Sequence, residues 1–595
     1  MHFLNQLKFG RRVTSCGLMA ILLLLVPAGH SFAKQPNVIL IMTDDQGYGD
    51  LSCHGNPVLK TPQLDELFHE SVRLTDFHVS PFCTPTRAAL MTGRYPARTG
   101  AYRTSSGRTM LHPEEQTLAH LFADAGYVTG MVGKWHLGDN APHRPQDRGF
   151  QHVVWHRCGG VGQASDYFGN DYFDDVYERN GTYEQFEGYC TDIWFAQAKR
   201  FIEANQSKPF FLYLAPNAPH SPYRVPPEWS EPYCETVTWK GGAEFYGMIA
   251  NIDHNLGLLR RKLTELRLSE NTILIFMTDN GTANGIGTST SGPDGYSGFN
   301  AGMRGKKSTV YEGGHRVPFF IHWPAGGLTG GRDATNLTAH IDVLPTLAAL
   351  CDVPVPESHQ PDGCSFTDQL TNPDANPHRD HYVAQLQGGA YFAKPGAKWD
   401  TSCVLKGRWR LLNGDTLYNL EHDPAQRQNV TADHPETVAE LRDLYEQFWT
   451  KVSTGMTPVS IDLGNPAENP TTLCSQDWYL PEGNPPWNFG QINRRPQITG
   501  PWHVNVKQAG RYRFELRQLP KVASRTLAAV RARIEIAGQE HEAAVLPHAQ
   551  AALFELDLPA GATTLKTWLF DATGEAGGAY FTDVKYLQSS EIPVE

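Results

Sequence analysis

Charged side chains are scarce in this 595-residue chain: 19% of positions carry Asp, Glu, Lys or Arg, and 51 basic residues face 63 acidic ones, for a net charge of −12. No overall basic field exists to gather nucleic acid, so any polyanionic partner must be met in a local pocket. Internal repeats of fixed period and low-complexity tracts are missing, which argues against a solenoid or an array. Beyond the N-terminus no segment is apolar over the roughly twenty residues that a spanning helix needs. What is plentiful is Gly (55), Pro (41) and aromatic residues (11%). That mixture describes a loop-rich globular body of enzyme size, with about 150 residues per domain giving a prior of three or four domains.

The N-terminus reads as an export signal. Lys8, Arg11 and Arg12 precede an apolar run from Gly17 to Val26, and Ser31-Phe32-Ala33 places small residues where a signal peptidase reads. The run is too short for a stable membrane anchor, and Cys16 precedes it, which argues against a lipid-bearing cysteine. Residues 1–33 are therefore expected to be removed, leaving a periplasmic or extracellular protein. In that setting Cys53, Cys158, Cys190, Cys234, Cys351, Cys364, Cys403 and Cys474 could pair, and the sequence selects no connectivity.

PNVILIMTDD (Pro36 to Asp45) has the continuous apolar character of a strand buried on both faces of a parallel sheet. Helical spacing from Leu64 to Arg73 and from Thr117 to Ala125 alternates with the strand-like YVTGMVGKWHL, PFFLYLA (Pro209 to Ala215) and TILIFMTDN (Thr272 to Asn280). An amphipathic stretch, Tyr246 to Leu266, lies between the last two. Alternation of this kind predicts an α/β sheet sandwiched by helices over residues 34–395, with ligands at the carboxyl ends of its strands. Short strands and the amphipathic helix Pro435 to Thr450 predict a small α+β subdomain over 396–453. Pro, Asn and Gly dominate 454–496, which reads as a linker. In 497–595 the alternation of Trp502, Val504, Val506 and then Tyr512, Phe514, Leu516 predicts a β-sandwich that either holds polymer or packs on the body.

Two of the strands end alike, in TDDQG and TDNG. Asp44 with Asp45, and Asp279 with Asn280, deliver oxygen side chains to the edge where such sheets bind ligands, and together they suit Ca²⁺ or Mg²⁺ rather than Zn²⁺. In CTPTR (Cys83 to Arg87), Pro85 suits the first turn of a helix and Thr84 its cap, which would set Cys83 at the positive end of the helix dipole. Arg87 follows four residues on, on the same helical side. Lys134 and His136 stand two apart at a strand end, and His220 lies in the proline-braced APNAPHSP.

CTPTRAALMTGRYP resembles the signature of the type I sulfatases, in which the cysteine is converted to Cα-formylglycine. TDDQGYGD, GKWHLG (Gly133 to Gly138), PHSP (Pro219 to Pro222), TDNG and RGKKSTVYEGGHRVP (Arg304 to Pro318) follow in that family's order, up to about residue 450. Thr86 departs from the Ser or Ala usual there. The resemblance implies an alkaline-phosphatase-like fold and a sulfuric ester hydrolase matured by a formylglycine-generating or equivalent enzyme. It also implies one Ca²⁺ held by Asp44, Asp45, the modified Cys83, Asp279 and Asn280. The hydrated aldehyde would attack sulfur, with Lys134 and Lys307 on the sulfate oxygens and Arg87 holding the hydrate. His220 would donate a proton to the leaving alcohol, and His136 would take one as sulfate is eliminated. Lys307, not Lys306, aligns with the family's sulfate-binding lysine. Export, the sandwich and the aromatic insert Trp155 to Gly181 favour a sulfated glycan as substrate. Two other readings are a phosphodiesterase or phosphonate hydrolase on the same superfold, and a non-catalytic glycan-binding protein.

Overall fold

The computed structural model describes residues 35–287, 296–372, 374–387 and 397–587, together with Gly10. Apart from Gly10, the expected signal peptide lies outside the described residues. Among those described, no helix is long and apolar enough to cross a membrane.

The apolar runs become central strands because both of their faces are buried. In Asn37–Thr43, Val38, Leu40 and Met42 join one apolar cluster while Ile39 and Ile41 join another. Phe211 and Tyr213 of Phe210–Ala215 fall on the first side, and Phe210, Leu212 and Leu214 on the second. Strands of this kind need helices on both faces. Leu118–Asp124 and Val343–Leu350 cover the first face; Pro62–Glu70, Cys190–Asn205 and Gly242–Glu265 cover the second.

The sheet has ten strands. Its five central members run parallel, from Thr272–Thr278 through Asn37–Thr43, Phe210–Ala215 and Val128–Lys134 to His152–His156. Phe319–His322 on one side and Val176–Arg179 on the other run antiparallel to their neighbours. The segments after Thr43, Lys134, Ala215 and Thr278 therefore gather along one edge. Beyond the sheet, four antiparallel strands, Tyr382–Gln385, Ser402–Lys406, Trp409–Leu412 and Thr416–Asn419, pack with helix Pro435–Val452 as the small α+β subdomain.

The main departure from the sequence reading is the stretch 454–496. It is not simply a linker: Ile461–Leu463 pairs with Trp502–Val506, and Thr471–Cys474 pairs with Phe581–Tyr586, so both sheets of the sandwich begin before residue 497. Apolar residues here, among them Val459, Ile461, Leu463, Leu473, Trp478 and Ile492, are buried in the sandwich core, which also takes in Met110 and Ala164 from the α/β body. From Gln35 onward the described chain is one compact unit. The cysteines differ from expectation as well: Cys53, Cys158, Cys190, Cys234, Cys351, Cys364, Cys403 and Cys474 are all unpaired.

Ending the chain at Glu482 would leave Ile461, Leu463, Leu473 and Met110 without the strands that cover them. Such a protein should be insoluble, or melt at least about 10 °C below the full chain, as measured by calorimetry. An unchanged melting temperature would show that the sandwich is separable after all.

Candidate active site

Asn37–Thr43 and Thr272–Thr278 pair in register, from Asn37 opposite Thr272 to Thr43 opposite Thr278. The residues that follow, Asp44 with Asp45 and Asp279 with Asn280, consequently leave the sheet side by side, and all four are buried. Asp279 N donates to Thr43 O at 3.1 Å, and Asp45 N donates to Asp279 Oδ1 at 3.0 Å. Asn280 Nδ2 donates to Asp45 Oδ1 at 3.0 Å. Asp45 takes φ 71°, a left-handed conformation that Asp tolerates better than most residues.

Three cations meet the three carboxylates. Lys134 Nζ lies 2.6 Å from Asp44 Oδ2, Arg87 Nη2 lies 2.9 Å from Asp279 Oδ2, and Lys307 Nζ lies 2.5 Å from Asp45 Oδ1. Arg87 also donates through Nη1 to Lys134 O at 3.0 Å and to the Tyr213 hydroxyl at 3.2 Å. Burial works to raise the Asp45 pKa, but Lys307, His220 and Lys134 together hold it well below the usual carboxylate range. Asp279 goes the other way: burial and neighbouring Asp44 outweigh Arg87 and push it up to about 7.

Cys83 is the first residue of helix Cys83–Thr92, which starts directly after the extended Phe82. The helix thus begins before Pro85, and Thr84 is inside it rather than capping it, with a buried hydroxyl that has no partner. Cys83 Sγ is 3.8 Å from Asp45 Oδ1 and 3.6 Å from Lys307 Nζ. Burial raises the thiol pKa by more than Lys134 and Lys307 lower it, so the group is a thiol and not a thiolate at neutral pH.

His136 does not share a strand face with Lys134. The strand stops at Lys134 and His136 adopts φ 57°, so its ring is placed by a turn. The ring lies against Gly159, where a Cβ would come within 2.7 Å of Nε2. Burial, with Lys134, Arg87 and His220 nearby, lowers the His136 pKa well below 6.5 and keeps the ring neutral. His220 Nδ1 donates to Ser221 O at 2.6 Å, and Nε2 stands 3.7 Å from Asp45 Oδ2. Burial lowers the His220 pKa to about 3 despite the pull of Asp45.

Cys83, His136, His220 and Lys307 line one cavity of about 70 Å³. A roomier groove, about 560 Å³, lies between helices Pro62–Glu70 and Gly242–Glu265 and contains none of them. Among the lining residues that sequence reasoning missed are Gln163, Gln476, Asn484 and Trp487. Gln163 sits in the aromatic insert, whose Trp155, Tyr172 and Tyr177 are buried in the core instead of being offered to a ligand. The other three were hidden in the supposed linker. In a second buried cluster, His78, Glu312 and His315, the His78 and His315 Nδ1 atoms are 2.9 Å apart and Arg410 Nε donates to Glu312 Oε1 at 2.7 Å.

The sulfatase family model matches residues 36–353, which include every residue of the buried charge cluster. Human arylsulfatase A is 32% identical over 484 residues, 71% of this chain and 89% of its own. The chain belongs to the sulfatase family. This sulfatase is also 30% identical over 503 residues to an N-acetylgalactosamine-6-O-sulfatase of Bacteroides thetaiotaomicron, covering 70% of this chain and 94% of that protein. Among solved structures, Ps i-CgsB matches with a TM-score of 0.62 at 28% identity, over 72% of this chain and 95% of that one. Ps i-CgsB in complex with k-i-k-neocarrahexaose matches with a TM-score of 0.61 at 27% identity, over the same shares. The sulfatase is thus a sulfuric ester hydrolase with an alkaline-phosphatase-like fold.

The family implies formylglycine and a metal ion, typically Ca²⁺, and the residues present fit a hard cation. Ligand atoms of Asp44, Asp45, Cys83 and Asp279 all lie within 4.8 Å of one another. Asp44 Oδ1 and Asn280 Oδ1 are buried and accept no hydrogen bond, leaving oxygen donors free for an ion. Burial and Asp44 raise the Asp279 pKa in the cation-free protein, so a cation bound there would have to displace a proton. Affinity should therefore fall as pH drops below 7: between pH 8 and pH 5 titration calorimetry should find a loss of roughly tenfold to a hundredfold. A constant affinity across that range would contradict the assignment.

Proposed function

We propose that this sulfatase removes sulfate from a sulfated carbohydrate, using formylglycine made from Cys83 and one Ca²⁺ held by Asp44, Asp45, the modified residue 83, Asp279 and Asn280. The observation that carries this reading is the position of Cys83, on a cavity shared with His136 and His220, 3.8 Å from Asp45 and 3.6 Å from Lys307. A buried, un-ionised thiol is a weak nucleophile, which supports its conversion to another group. When present, the hydrated aldehyde supplies an oxygen nucleophile and Ca²⁺ supplies positive charge to the sulfate oxygens.

The chain's own residues do the rest. Asp44, Asp45 and Asp279 are already matched by Arg87, Lys134 and Lys307, so positive charge added to the site is left uncancelled and favours an anionic ester. Lys134 and Lys307 bind sulfate oxygens. Arg87, fixed by Asp279, Tyr213 and the Lys134 carbonyl, holds residue 83 in position. His220 keeps Nδ1 on Ser221 O and turns Nε2 to the reacting groups. A sulfate anion beside it favours the imidazolium, whose proton passes to the oxygen of the leaving alcohol. His136, held neutral by burial, accepts a proton at its ring nitrogen as sulfate departs.

A carbohydrate substrate is supported by the N-acetylgalactosamine-6-O-sulfatase relative and by the neighbour solved with a neocarrahexaose. Export after loss of residues 1–33 and maturation by a formylglycine-generating enzyme complete the reading. Peptide mass spectrometry of active protein should find an aldehyde at residue 83, and Cys83→Ala should lower sulfate release by at least about a thousandfold. Phosphate esters should turn over more slowly than the matching sulfates. An intact thiol at residue 83 in fully active enzyme, or faster phosphate than sulfate turnover, would refute it.

A further inference from the structure

The cavity at Cys83 has two walls of different origin. Phe82, Cys83, His136, His220 and Lys307 come from the range that the family model matches. Gln476, Asn484 and Trp487 do not; they come from the segment that joins two strands of the sandwich, Thr471–Cys474 and Trp502–Val506. The chemistry at one end is thus shared with the family, whereas the opposite wall belongs to an element outside the match.

That segment is held on every side. Ser475 Oγ donates to Pro486 O at 2.6 Å, tying its two ends into a loop, and Ser475 N donates to Tyr580 O at 2.7 Å, fixing it to the sandwich. Toward the body, Ser106 N donates to Gln476 O at 2.8 Å, Ser105 Oγ donates to Asn484 Oδ1 at 2.9 Å, and Ala164 N donates to Trp487 O at 3.0 Å. Arg108 lies 3.8 Å over the ring of Tyr479. A loop fixed in this way is a preorganised surface, with little ordering left to do when a ligand arrives.

Its chemistry is that of a sugar site. It brings a half-buried indole and the Asn484 amide to the cavity, while the Gln476 amide is spent on Asp139, Ser165 and Cys158; the three residues add no carboxylate and no further cation. An indole face covers the C–H face of a pyranose, and amides bond its hydroxyls. Gln163, on the adjoining insert, adds another amide. Gly159 and Gly160 beside it leave the room that a Cβ would fill, 2.6 Å from the His136 ring in the first case and 2.9 Å from Gln163 in the second.

We propose that the 475–488 loop is the specificity element of this sulfatase. Trp487 is the platform for the sugar ring whose sulfate lies over residue 83, and Asn484 and Gln163 bond the hydroxyls of that ring. The inference rests on the carbohydrate reading above, and it assigns the sandwich a part in catalysis as the support that holds this loop in place.

The test uses the matured full-length enzyme and the best substrate from a panel of monosulfated galactose, N-acetylgalactosamine and glucosamine sugars. Two constants are compared: KM for the sugar, which reports the whole cavity, and the inhibition constant of inorganic sulfate, which reports only the residue-83 end. Trp487→Ala should raise the sugar KM at least about tenfold, or about 1.4 kcal/mol, and leave sulfate inhibition within about twofold. Trp487→Phe should restore KM to within about threefold of the parent. Both constants moving by the same factor, or neither moving, would overturn the proposal while leaving the carbohydrate reading intact. If the parent enzyme cleaves aryl sulfates and no sugar on the panel, the carbohydrate reading and this proposal fall together.

Discussion

In-register pairing of two parallel strands sets the constraint on which the rest of the molecule depends. Because Thr43 lies opposite Thr278, Asp44, Asp45 and Asp279 emerge together into a buried region. Unpaired carboxylates there would cost several kcal/mol each. The compensation comes from three other elements: Arg87 from the helix that begins at Cys83, Lys134 from a strand two places across the sheet, and Lys307 from a loop far along the chain. Each contact ties a separate part of the fold to the same edge, so the charge cluster orders the structure as well as the chemistry.

Burial then sets the protonation states. It keeps Cys83 a thiol, keeps His136 and His220 neutral in the free protein, and raises Asp279 into the physiological range. The end of the cavity at Cys83 is built from buried parts of the α/β body. The other wall is built from a loop that the sandwich carries, outside the range the family model matches.

Much of this was legible in the sequence. The nearly continuous apolar run before Asp44 read as a strand buried on both faces, and its echo before Asp279 is the strand that pairs with it. Strict alternation at Trp502, Val504 and Val506 gave the sandwich its inner face. Other features were not legible, for physical reasons. Gln539–Ala544 is an edge strand of polar and small residues with no apolar face, so it carries no period to read. Ile461–Leu463 and Thr471–Cys474 are strands of three and four residues between proline-rich turns, too short for alternation to stand out. His136 owes its place to a left-handed backbone, which spacing along a strand does not encode. Trp487 is tied to the body by a tertiary contact with Ala164, more than 300 positions earlier, which its sequence neighbourhood does not encode.

The central claim is that the buried carboxylates are organised around one hard cation that the reaction requires. Elemental analysis of the purified enzyme, with activity followed through chelation and metal return, tests it most directly. The account calls for one calcium per chain, activity that disappears as calcium is withdrawn and returns when calcium is restored, and no bound calcium in Asp279→Ala. Stoichiometric zinc, or full activity in protein without bound metal, would contradict it.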